Sequence, residues 1–156
     1  MARLLAEQWT HGVHIEADVL QSMIVSGGVG VQEPGEIAGE AAEQLRLRLK
    51  HMCLLGKSFY DAGFSVVLDD IIVGERWEHV QHDLAGVPFS LVVLAPSRLV
   101  VQERDMSRAK RTLGREWADY LDNALRSTMC GIGIRIDNSY QTPEQTVDEI
   151  MRKLDL

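Results

Sequence analysis

The chain has 156 residues, 46% of them hydrophobic and 25% charged, with a formal net charge of −7. That length suffices for one domain with a sizeable core and is short for two, and the acidic balance argues against a broad nucleic-acid surface. No apolar run approaches the ~20 residues that span a bilayer, the N-terminus has no secretory pattern, and Cys53 and Cys130 stand far apart outside any CxxC pair. Neither a zinc site nor a disulfide framework is signalled, so a reducing cytoplasm, with no membrane and no nucleic acid, is the expectation.

Residues 2–9 read as a helix, with Leu4, Leu5 and Trp9 near one face. Gly12–Glu16 alternates as a short strand, and a helix starts at Asp18 and runs to Val25. Asp18 has two readings. It caps that helix, or it is a carboxylate at a strand exit, able to accept a proton from a hydroxyl. Ser26–Gly35 is a loop by composition; its glycines have the wrong spacing for a dinucleotide fingerprint, which leaves a substrate loop or a connector.

A long helix is expected over 36–62, with an apolar stripe of Leu45, Leu49, Met52 and Leu55 and a stop at Gly63. Gly56-Lys57-Ser58 inside it matches the tail of a phosphate-binding loop, but His51 stands where the first glycine is needed and no strand precedes it, so Lys57 reads as a solvated helix residue.

Val66-Val-Leu68 then runs without polar alternation and stops on Asp69 and Asp70. An uninterrupted apolar run is how a strand buried on both faces reads. In an open α/β sheet, ligands sit outside the carboxyl ends of the strands. An acidic pair there suits Mg²⁺ with phosphate; the alternative is a helix cap.

Glu75–Leu84 is a short helix, Val87–Pro96 a buried strand, and a helix follows from Ser97 to about Met106. The segment 103–115 is dense in base, with Arg104, Arg108, Lys110, Arg111 and Arg115. It reads as a solvated helix face or as a lid whose arginines clamp phosphates. Trp117–Met129 is helical, Ile132–Asp137 is a last strand, and Thr142-Pro-Glu-Gln145 opens the final helix with a capping box. Alternating strands and helices imply a parallel sheet with helices on both faces and no domain boundary. The five histidines show no metal-ligand spacing, and Trp9, Trp77 and Trp117 read as core or core-edge residues.

In this order and spacing the chain resembles the P-loop small-molecule kinases, the group of chloramphenicol phosphotransferase-like proteins and zeta-toxin-like kinases. The resemblance rests on His14-Ile-Glu-Ala-Asp18, on Val66-Val-Leu-Asp-Asp70 as a Walker B-like strand, on Arg104 with Arg108-Ala-Lys-Arg111 as an arginine lid, and on Ile136-Asp-Asn-Ser139 followed by Thr142-Pro-Glu-Gln-Thr146. It implies an α/β fold, a P-loop NTPase-like three-layer α/β/α sandwich with a parallel sheet, forming a single domain over 1–156. It also implies transfer of the γ-phosphoryl group of ATP or GTP to a small hydroxylated substrate. Asp18 would be the base, Asp69 and Asp70 the Mg²⁺ ligands, Arg108 and Arg111 the residues stabilising transferring charge, and Arg104, Arg108, Arg111 and Arg135 the nucleotide contacts.

Such kinases open with a strand and Gly-x-x-x-x-Gly-Lys-Ser/Thr, and no such motif stands in these residues. The expectation is therefore a chain that starts just after the phosphate cradle. The missing strand would fall between the strand ending at Asp69 and the one at Leu91–Leu94. Two alternatives stand beside the kinase: a non-catalytic remnant of the fold that binds a ligand or partner, and a metal-dependent phosphate-ester hydrolase.

Overall fold

A computed structural model of the protein describes residues 1–31, 33–35, 37–107 and 114–155. It is a mixed α/β structure with short parallel sheets. Where composition marks no boundary, the chain forms two compact units, Met1–Gln32 with Glu36–Phe89, and Glu33–Gly35 with Ser90–Leu156. Where alternation implies one continuous sheet, the described strands form two separate two-stranded sheets.

The first unit contains helix α1 (Ala2–Ala6), strand β1 (Gly12–Glu16), helix α2 (Ala17–Ser22), helix α3 (Gly39–Asp61), strand β2 (Ser65–Asp69) and helix α4 (Glu75–Asp83). β1 and β2 pair in parallel from Gly12↔Ser65 to Glu16↔Asp69, so both strands exit at the same end. α1 stops at Ala6 rather than Trp9, and its last turn lies hard against β1. A Cβ at Gly12 would stand 1.8 Å from the Ala6 carbonyl oxygen, so only glycine allows this approach.

α3 buries Leu49, Met52, Cys53 and Gly56, spaced i, i+3, i+4 and i+7. These pack with Ile15, Ala17, Val80 and Leu84, against Val66 and Leu68 of β2. The stripe is rotated slightly from the expected one: Leu55 is turned outward and 40% exposed, while Cys53 and Gly56 face in. Gly56 lets the helix settle onto the sheet, since a Cβ there would lie 3.1 Å from Leu68 Cδ2. The Gly56-Lys57-Ser58 tripeptide is helical, and Lys57 Nζ donates to the Ala85 carbonyl at 3.1 Å.

α3 and α4 are joined by Arg46 and Asp83, which form a two-pronged pair with Nη1–Oδ2 2.5 Å and Nη2–Oδ1 2.9 Å. The Arg46 hydrogen bond, outweighing burial, holds the Asp83 carboxyl down from 3.8 to about 2. A carboxyl depressed in the fold stabilises above its unfolded pKa and loses that contribution as pH falls through the folded value. Arg46→Met is therefore expected to cost about 1 kcal/mol at pH 7, less than the ~1.4 kcal/mol per pKa unit implies, because the pair is partly solvated and His82 also hydrogen-bonds the carboxylate. The difference from the parent shrinks as pH falls from about 4 to about 2. Urea titrations at these pH values measure it.

The second unit contains strand β3 (Val92–Leu94), helix α5 (Arg98–Ser107), helix α6 (Gly114–Thr128), strand β4 (Ile134–Ile136) and helix α7 (Pro143–Lys153). β3 is much shorter than the expected Val87–Pro96. Its partner β4 is equally short, and Pro88 and Pro96 have no N–H to extend a ladder. Gly133 (φ 75°) turns the chain into β4, where Ile134 N–H donates to the Leu91 carbonyl at 2.8 Å. A Cβ at Gly133 would itself lie 2.8 Å from that oxygen. α7 opens with the expected capping box between Thr142 and Gln145, with Pro143 at its first position. It buries Thr146, Val147 and Ile150, and Ile136 and Met129 are also enclosed. No helix among the described residues is long and apolar enough to cross a membrane.

Candidate functional site

The shared exit of β1 and β2 gathers three aspartates beside Glu16. Asp69 is the last residue of β2, opposite Glu16 of β1. Asp70 follows it, and Asp18 lies in the first turn of α2, directly after β1. None of them caps a helix. Backbone turns place Glu16 at the N-cap of α2 and Gly74 at that of α4.

The three acids differ sharply in environment. The Asp18 side chain is 77% exposed, and its Oδ1 accepts from Arg48 Nη1 at 3.3 Å. The Asp69 side chain is 52% exposed, and its Oδ2 lies 3.3 Å from His14 Nε2. Asp70 is buried, its side chain only 4% exposed. Its Oδ1 accepts from Arg48 Nη2 at 2.8 Å and from the Ile71 N–H at 2.9 Å, and its Oδ2 pairs with Arg76. Both Asp70 oxygens are thus taken by protein donors, in the residue that the sequence assigns to Mg²⁺ together with Asp69.

Arg48 comes from α3 and Arg76 from α4, so three helices and the turn after β2 meet in one chain of charges: Arg76, Asp70, Arg48, Asp18. Burial pushes the Asp70 carboxyl up and the Arg76 guanidinium down, outweighing in each case the attraction of its partners. A buried ion pair of that kind is weak evidence of stability; what it does supply is a fixed geometry. Arg48 and Arg76 are absent from the sequence-derived candidates. Helical periodicity places them on α3 and α4 but carries no information on which strand end those turns reach.

Gln44, one turn before Arg48 on α3, holds the glycine loop. Its Oε1 accepts from the Val29 N–H at 2.8 Å, and its Nε2 donates to the Gly27 carbonyl at 2.7 Å. The side-chain amide thus acts as a short β-bridge for a segment with no regular structure.

In the second unit, Arg104 of α5 donates through Nη2 to the Asn138 carbonyl at 2.9 Å, with the Ser139 and Gln141 carbonyls each at 3.5 Å. The segment Ile136-Asp-Asn-Ser139 is a polar turn. Asp137 Oδ1 accepts from the Ser139 N–H and hydroxyl, which hold the Asp137 carboxyl below its usual range. Ser139 Oγ in turn accepts from the Ser97 N–H at 2.7 Å. Arg104, expected on nucleotide phosphates, here fastens α5 to this turn. Arg135 is exposed on β4, and its carbonyl accepts from Lys153 Nζ at 3.3 Å. Arg108 and Arg111 lie outside the described residues. Among the described residues no group of three or more His, Cys, Asp or Glu side chains is arranged to hold a metal ion.

A protein-family model, described as chloramphenicol phosphotransferase-like protein, matches residues 3–155. No curated protein sequence matches the chain significantly.

Proposed function

The chain belongs to the chloramphenicol phosphotransferase-like family, and from that premise we propose that it transfers the γ-phosphoryl group of ATP or GTP to a hydroxyl of a small molecule. The observation that carries this reading is Asp18: an outward-facing carboxylate at a strand exit, with Oδ1 on Arg48. In the reaction the acceptor O–H bond breaks and its proton passes to Asp18. The acceptor oxygen bonds to the γ-phosphorus, and the bond to the β-phosphate oxygen breaks, releasing the nucleoside diphosphate. The match through both units supports treating them as parts of one kinase-like domain with the P-loop NTPase-like sandwich as its architecture.

Mg²⁺ is commonly held by one or two carboxylates plus phosphates and waters rather than by an all-protein cage. Asp69, half exposed and steadied by His14, fits that requirement. Asp70, with both oxygens committed to arginines and a backbone N–H, fits the role of their anchor instead. When bound, the metal would neutralise charge on the phosphates. Arg108 and Arg111 take the phosphate-clamping role on the strength of the family resemblance, and a cytoplasmic location goes with that same reading.

The test is calorimetry of the 156-residue chain with Mg-ATP and Mg-GTP, followed by transfer of labelled γ-phosphate to a panel of small hydroxylated acceptors. Micromolar binding that is lost in Asp69→Asn, together with a labelled acceptor, is the expected result. No binding by a cooperatively melting chain overturns the reading and favours a non-catalytic binding role. Metal-dependent release of phosphate from a simple ester without nucleotide favours a hydrolase.

A further inference from the structure

We propose that Arg48 is the positioning residue for Asp18, fixing which oxygen of that carboxylate is free to take the proton. The inference rests on the phosphotransferase reading for its consequence and on the geometry of the first unit for its substance.

A guanidinium is a planar fork whose N–H directions are fixed relative to one another. Arg48 Nη2 is committed to Asp70 Oδ1 at 2.8 Å. Asp70 is itself immobilised by Arg76 on its other oxygen and by the Ile71 N–H. The Arg48 side chain is only 12% exposed, so it is enclosed rather than free to swing. With one prong fixed at the end of β2, the direction of the other is set, and Nη1 reaches Asp18 Oδ1 at 3.3 Å. Asp18 would otherwise be an exposed aspartate on a six-residue helix, free to sample its rotamers. Arg48 occupies Oδ1 and leaves Oδ2 for the acceptor hydroxyl. Two packed helices and one buried acid thereby act on a surface carboxylate, and precise placement of a reacting group is where such fixed geometry matters most.

This accounts for Asp70 and Arg76 as well. Neither reaches the open side of the site; they hold the fork that does. A lysine at position 48 keeps the charge but is a point donor on a flexible stem, unsuited to bridging two carboxylates in a set plane.

The experiment is NMR of the Arg48 guanidinium nitrogens in the full chain, paired with steady-state kinetics. Asp18 faces Arg48 from α3, with Asp70 behind it. In Asp18→Asn the Arg48 guanidinium nitrogen resonances are expected to shift, whereas in Asp83→Asn, whose partner on α3 is Arg46, they stay in place. In turnover, Arg48→Lys and Arg48→Gln lower kcat by roughly tenfold or more while the nucleotide KM stays constant, as expected for lost positioning.

Arg48 resonances unmoved by Asp18→Asn overturn the inference, and so does an unchanged kcat in folded Arg48→Gln. Should Arg48→Gln fail to fold, Asp18→Asn still reads the pair from its exposed side: the Arg48 resonances shift if the pair exists and stay in place if it does not. Absence of turnover in the parent chain would count against the phosphotransferase reading, and the NMR readout would still decide the pairing.

Discussion

Asp18→Asn is expected to melt like the parent chain and to lose phosphoryl transfer by roughly 10²–10⁴-fold, the usual worth of a positioned general base. The two halves of this expectation have separate causes. The Asp18 side chain is 77% exposed and shares Arg48 with the buried Asp70, so its removal uncovers no apolar surface and leaves no buried cation without a carboxylate. Pairs with an exposed member contribute little to stability. An amide, however, does not take up a proton in the working pH range, and the hydroxyl then attacks without losing its proton in the transition state. The loss should fall on kcat, with nucleotide affinity by calorimetry close to that of the parent. Transfer that survives Asp18→Asn at the parental rate would remove Asp18 from the chemistry.

Asp70→Leu is expected to produce the opposite pattern: a folding defect of about 3–5 kcal/mol, the range found when one member of a buried ionic network is removed. The Arg48 and Arg76 side chains are 12% and 19% exposed, and both lean on this one carboxylate. Their Nε atoms are already buried without a hydrogen-bond partner among the described residues. Without Asp70 two guanidinium groups would stand close together with little water and one exposed carboxylate between them. A deficit of that size is comparable to a large part of a domain's total stability, about 5–15 kcal/mol. Urea denaturation measures it.

The double variant Asp70→Leu/Arg76→Met separates the electrostatic cause from simple packing loss. Removing the cation along with its partner should recover a substantial part of the deficit, because burial already outweighs pairing for both groups. If the double variant is no more stable than Asp70→Leu, unpaired charge is not the reason for the defect.

Much of the secondary structure was legible because its signals are local. The capping box at Thr142–Gln145 forms as read, since all of its partners lie within one turn. The helical period of Leu49 and Met52 and the apolar run Val66–Leu68 placed α3 and β2 and rejected Gly56-Lys57-Ser58 as a phosphate loop. Boundaries were harder to read. α1 ends at Ala6 because of how β1 lies against it at Gly12, and β3 shrinks to Val92–Leu94 because its partner offers no more. Neither cause is encoded in the residues of the element itself.

The candidate site divides in the same way. That Asp18, Asp69 and Asp70 stand at strand ends is a property of the sequence, and so is the family to which the chain belongs. Which acid is outward and which is buried depends on tertiary packing. Asp69 and Asp70 are neighbours in the chain, yet the last pleat of β2 exposes one and the turn after it encloses the other between α3 and α4. The role of Arg48 is likewise a tertiary outcome, made by contacts to residues 30 positions before it and 22 after it. Residue types and their periods determined the elements, the acids at the strand exits and the family. The packing of helices on strands decided the pairing of the charges, because an ion pair depends on distances in space that no local period specifies.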